Sequence, residues 1–127
     1  MQKQIKSVTE FMELFKRGYS KVPTLGTKET QDLRYKLLLE ELNEYKEACD
    51  DGDMIGLADA LGDQLYIILG TIIEHGFQDK IEQIFDIIHQ SNLSKLDENG
   101  NPIIREDGKI VKSSLYTPPD LTEIVST

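Results

Sequence analysis

Cysteine is nearly absent from this chain: Cys49 is the single one in 127 residues. One thiol permits neither an intrachain disulfide nor a zinc–thiolate cluster, and Cys49 reads as an ordinary helix residue beside a turn. Basic side chains are also scarce, 14 Lys and Arg against 23 Asp and Glu, for a formal charge of −9. That balance argues against holding a nucleic-acid backbone, which needs basic surface. It still admits a phosphorylated small molecule if metal ions sit between the acids and the ligand. Histidine occurs only at His75 and His89, neither with HExxH spacing. There is no Gly-rich phosphate loop and no GxSxG elbow. The apolar run 66–73 is well short of a bilayer span, and the opening MQKQIKSVTEF lacks the apolar segment of a signal peptide. A soluble cytoplasmic protein with no membrane partner is expected.

What the chain has is acid in unexpected places. Residues 27–50 contain no proline and are rich in Leu, Glu and Lys, which predicts one long helix. At roughly 100° per residue, Leu33, Leu37, Leu38, Leu42, Tyr45 and Ala48 form one apolar arc. Glu41 and Glu44 fall inside it, Glu40 lies at its edge, and Glu47 is on the wet side. A buried carboxylate is costly unless a partner or a metal compensates it. Glu41 and Glu44 also project side by side, where a divalent cation would remove their repulsion.

Residues 53–76 repeat the pattern. They read DMIGLADALGDQLYIILGTIIEHG, apolar on nearly every side, as in a central helix covered by neighbours. Asp59 and Asp63 share one line on it, and Gly62 and Gly70 would let another backbone approach. The break DDGD is short, so the two acid-bearing helices should form an antiparallel hairpin. Glu41 and Glu44 would then face Asp59 and Asp63 at one level of the bundle.

Around this pair, Ser7 and Glu10 suggest a capping box for a first helix at 8–16, ended by Gly18. Residues 19–26 read as a loop, and Thr27 as an N-cap. A further helix is predicted over 79–91, followed by SNLSK, residues 91–95. In the tail, 102–105 and 109–112 flank Asp107-Gly108 as in a small hairpin. Residues 116–121 should be extended and the last few loose. The expected fold is all-α: an antiparallel bundle of about four helices with a short C-terminal β-hairpin. It would be one domain, 1–127, with its helical core at about 7–96 and the hairpin and extended tail at 97–127.

Four carboxylates without a nearby histidine favour a hard cation, Mg²⁺ or Mn²⁺. A di-iron bundle would want paired Glu-x-x-His motifs, and Asp86-Ile-Ile-His89 occurs once with the wrong acid. Clustered acids, a cation and a following lysine suit phosphoryl chemistry. A spare acid such as Glu40 could orient or deprotonate the attacking water.

The segments Leu-Leu-Glu40-Glu41-Leu-Asn-Glu44, Ala58-Asp59-Ala-Leu-Gly-Asp63-Gln-Leu-Tyr66, Gly70-Thr71 and Ser91-Asn92-Leu-Ser-Lys95 together resemble the MazG-like all-α nucleoside triphosphate pyrophosphohydrolases. That superfamily includes phosphoribosyl-ATP pyrophosphohydrolases and dimeric dUTPases. The resemblance covers about residues 34–96. It implies Mg²⁺-dependent hydrolysis of a nucleoside triphosphate to the monophosphate and pyrophosphate. It further implies Glu41, Glu44 and Asp63 as metal ligands, with Glu40 as ligand or base and Glu41 in the catalytic acid pair. Asn92 and Lys95 would contact the nucleotide substrate. Many members carry an acid where this chain has Ala60, and Asp59 would take its place as a metal ligand. Family members are dimers or tetramers, so a homodimer or homotetramer is implied. Two alternatives stand beside this reading: phosphoribosyl-ATP hydrolysis, and a non-catalytic helical module that binds nucleotides or partner proteins. A plainer one treats the acids as solvated, salt-bridging faces.

Overall fold

In the computed structural model, which describes residues 1–126, the chain is mostly helical. The helices are α1 (Gln2–Leu14), α2 (Lys28–Asp51), α3 (Met54–Glu74), α4 (Ile81–Leu93) and the short α5 (Thr122–Ser126). Strands β1 (Ile103–Ile104) and β2 (Ile110–Val111) pair antiparallel, with Ile103 opposite Val111 and Ile104 opposite Ile110. The chain divides into two compact units, 1–79 and 80–127.

In the first unit, α3 packs against both α1 and α2. Its core is Ile5, Val8 and Met12 of α1, Ala48 of α2, and Ala60, Leu69 and Ile73 of α3. Thr27 caps α2 as expected: its side chain accepts the Thr30 N–H at 3.2 Å. The turn to α3 is short because each of its residues has a task. Gly52 adopts φ +65°, and the N–H groups of Gly52 and Asp53 return to Cys49 O and Ala48 O. Asp53 then accepts the Gly56 N–H at 2.9 Å as N-cap of α3. That turn sets the antiparallel hairpin and the register of the acids.

Helix α1 differs from expectation at both ends. It starts at Gln2, so Ser7 lies inside it and its hydroxyl donates to Lys3 O at 3.1 Å instead of capping. It ends before Gly18: Lys16 takes the left-handed conformation (φ 56°), and the N–H groups of Lys16 and Arg17 return to Glu13 O and Met12 O. Those are the two bonds of a glycine-type helix stop, made here by a lysine.

Helix α3 is less covered than its sequence suggests, with Met54, Ile55, Leu61, Leu65 and Ile68 exposed. On α2, Leu42 and Tyr45 of the apolar arc are exposed as well. By length and composition alone α3 could cross a membrane, which the eight-residue run 66–73 understated. Here it carries Asp59, Asp63 and an ion-paired Glu74. Among the described residues no other backbone approaches two of its glycines: nothing lies within 4 Å of a Cβ placed at Gly62, and one at Gly70 would meet the Arg34 guanidinium.

In the second unit, α4 follows Lys80 without a side-chain cap and buries Ile84 and Ser91. Residues 116–121 form no regular element and lead into α5, so the tail is not loose there: Asp120 accepts the Thr122 N–H at 3.0 Å and Ile124 is buried. Thr127 lies outside the described residues.

Candidate functional site

Glu41 and Glu44 lie one turn apart on α2, and Asp63 lies on α3 across the hairpin. One carboxylate oxygen from each falls within 4.8 Å of the other two. Glu41 and Asp63 are half-buried and Glu44 is exposed, so the group sits at the rim of the helix pair. Gln64, next to Asp63, reaches across from α3 to the Glu41 carbonyl at 3.5 Å, a long contact at the same level.

Glu41 carries the strain of this arrangement. Its Oε2 is shielded from solvent and has no hydrogen-bond partner. Its pKa is raised from 4.5 to about 7, first by burial, then by its hydrogen bond to Glu44, then by the charges of Glu44, Asp63 and Asp59. Asp59 is exposed and stands outside the group of three, close enough for its charge to reach Glu41. Glu40 is also exposed. In the second unit Asn92 lies in the last turn of α4 and Lys95 just beyond it, the first exposed and the second half-buried.

A polar network that local sequence patterns did not reveal lies further along the same helices. Arg34 Nε donates to Thr71 Oγ1 at 3.0 Å, Nη1 to Glu74 Oε2 at 3.1 Å and Nη2 to Ile67 O at 3.3 Å. Arg17 Nη2 takes the other Glu74 oxygen at 2.9 Å. The only sequence signal was a charged residue beside Leu33 on an apolar arc. This network borders a cavity of about 390 Å³ lined by Phe11, Leu37, Tyr66 and Gly70 among others. Phe11 stacks on Phe15 at 4.4 Å and meets Tyr66 edge-on at 5.7 Å. Leu37 precedes Glu41 by one helical turn and Tyr66 follows Asp63 by about the same, so the cavity opens roughly one turn, about 5 Å of helix axis, from the carboxylates.

Three converging carboxylates, of which Glu41 has one unpartnered oxygen and is held reluctant to ionise, suit a hard divalent cation. Fold and site together thus define a helical protein with a carboxylate group able to hold such an ion. Residues 8–92 match the family model described as phosphoribosyl-ATP pyrophosphohydrolase, and the chain belongs to that family. The match supports pyrophosphohydrolase activity on a nucleotide. It includes all the acids above and ends at Asn92, leaving Lys95 and the tail outside it. Comparison with curated proteins finds no match.

Proposed function

We propose that the protein is a Mg²⁺-dependent nucleoside triphosphate pyrophosphohydrolase that releases a nucleoside monophosphate and pyrophosphate. The observation that carries this reading is the group Glu41, Glu44 and Asp63, with one oxygen of each within 4.8 Å of the others and Glu41 Oε2 unpartnered among the described residues. These three side chains hold the cation, and Asp59 adds negative charge at the same level. A bound divalent ion supplies charge neutralisation, both to the carboxylates and to the phosphates of the substrate. Glu40, exposed beside Glu41, orients the attacking water and accepts its proton. Asn92 and Lys95 bind the nucleotide, with the lysine as a point charge on phosphate.

The reaction breaks the bond between the α-phosphorus and the bridging oxygen, forms a bond from the water oxygen to the α-phosphorus, and leaves pyrophosphate with the electron pair. We further infer that two or four copies assemble through exposed apolar side chains of α3 such as Leu61 and Leu65, and that the enzyme works in the cytoplasm. Pyrophosphate release by pure protein, measured with Mg²⁺ across canonical and modified triphosphates, tests the reading. No release from any of them defeats it.

Phosphoribosyl-ATP is the second reading of the substrate, favoured by the description of the matching family. Assaying phosphoribosyl-ATP beside dUTP and dCTP separates the two.

A further inference from the structure

The proposed phosphate-binding turn is the chain that leaves α4, residues 94–96. The last carbonyls of a helix have no intrahelical partner, and the chain after Leu93 meets those of α4: the Ser94 N–H reaches Gln90 O and Ser91 O, both at 3.1 Å. The Lys95 N–H reaches Asn92 O and the Leu96 N–H reaches Leu93 O, both at 3.2 Å. The next three carbonyls, of Ser94, Lys95 and Leu96, all meet one residue of the tail, Ser113. Its N–H donates to Lys95 O at 3.2 Å, and its Oγ lies 2.7 Å from Leu96 O and 3.5 Å from Ser94 O.

A second clasp lies one turn back. The buried Ser91 donates its hydroxyl to Thr117 O at 2.7 Å. Ser94 Oγ donates to Ser91 O at 2.6 Å and accepts the Thr117 N–H at 2.9 Å. Ser113 and Thr117 follow β2, beyond the residues that match the family.

We infer that Ser113 is a positioning residue for Lys95, an inference that rests on the proposed role of Lys95 in binding phosphate. Carbonyls left open in the turn beyond a helix face water and leave the backbone free to shift. Holding those of Lys95 and Leu96, one by the Ser113 N–H and one by its hydroxyl, fixes the backbone on the C-terminal side of Lys95 and hence the origin and direction of its side chain. A lysine on a four-carbon stem gives up rotamer freedom when it settles on phosphate, and a wandering backbone would add to that loss. The tail thereby sets the substrate cation in place without touching the substrate.

The test is a double-mutant cycle on the full chain, read as kcat/KM for pyrophosphate release from the best substrate of the panel. Ser113→Ala lowers kcat/KM by roughly three- to tenfold, the range for one lost neutral hydrogen bond, and Ser113→Thr, which keeps the hydroxyl, restores it. In a Lys95→Ala background Ser113→Ala has no further effect, because nothing is left to position. Equal losses in both backgrounds overturn the inference, as does full activity in Lys95→Ala. Ser94→Ala, which opens the Thr117 clasp, carries the same comparison should Ser113→Ala fail to fold. A wild-type chain that releases no pyrophosphate overturns the functional reading and this inference with it. An active wild type with an additive cycle overturns this inference alone.

Discussion

Arg34 Nη1 lies 3.1 Å from Glu74 Oε2, with the two side chains only 11% and 8% exposed. The pair joins the beginning of α2 to the end of α3, and Arg17 completes it from the loop after α1. Without Arg34, Arg17 still holds one Glu74 oxygen, but the other oxygen loses its charged partner. Arg34→Ala should therefore lower stability by about 2 kcal/mol. The fall would appear as a lower urea midpoint at unchanged slope.

Glu41→Gln separates stability from function. The amide removes one charge from a group that repels itself, so the variant without divalent ions should melt higher than wild type. It also removes a proposed ligand, so pyrophosphate release should fall by at least about a hundredfold, more than outer-shell changes typically cost. An active variant, or one that melts lower, would contradict the arrangement.

Glu41 also sets a pH dependence. Its pKa rises from 4.5 to about 7 on folding, chiefly through burial. Between those values the folded chain keeps a proton that the unfolded chain has released. Stability without divalent ion should thus fall as pH rises from 4.5 to about 7 and then level off. Mg²⁺ favours the ionised group, so the difference between melting temperatures with Mg²⁺ and with a chelator should widen from about pH 5 to pH 8. A constant difference would remove Glu41 from the ion site.

Two glycines should respond in opposite ways to alanine. Gly76 has φ +80°, and a Cβ there would sit 1.9 Å from the Val22 carbonyl oxygen. Gly76→Ala should cost more than about 2 kcal/mol, through strain and displacement of the 19–26 loop. Gly62 is helical with open space around it, so Gly62→Ala should stabilise a lone chain by about 0.5–1 kcal/mol. Thermal melts of both variants at low protein concentration decide this.

Much of the fold was legible because short-range signals specified it. Thr27 and the DDGD turn announced the ends of α2 and α3, and Asp107-Gly108 announced the hairpin. Spacing also placed Glu41, Glu44 and Asp63 at a common level, while Asp59 lies outside the tightest group. What escaped was settled by contacts distant in sequence or by a weak local preference overruled. Arg34 and Glu74 are 40 residues apart, and no periodicity links them. Lys16 halts α1 in a conformation where glycine would be expected, and α1 begins where no strong capping residue marks it. The clasp of Ser113 on the end of α4 was equally invisible, since a serine between a strand and a turn carries no particular signal.

The two-residue connection between α2 and α3 has a kinetic consequence. It leaves Glu44 and Asp63 only 19 positions apart, so the carboxylates meet through near-neighbour contacts of the kind that form early during folding. Their repulsion then opposes the nascent hairpin from the start, before α4 and the tail are in place. A divalent ion should accordingly accelerate refolding as well as slow unfolding, linking the availability of the metal to the speed with which new chains mature.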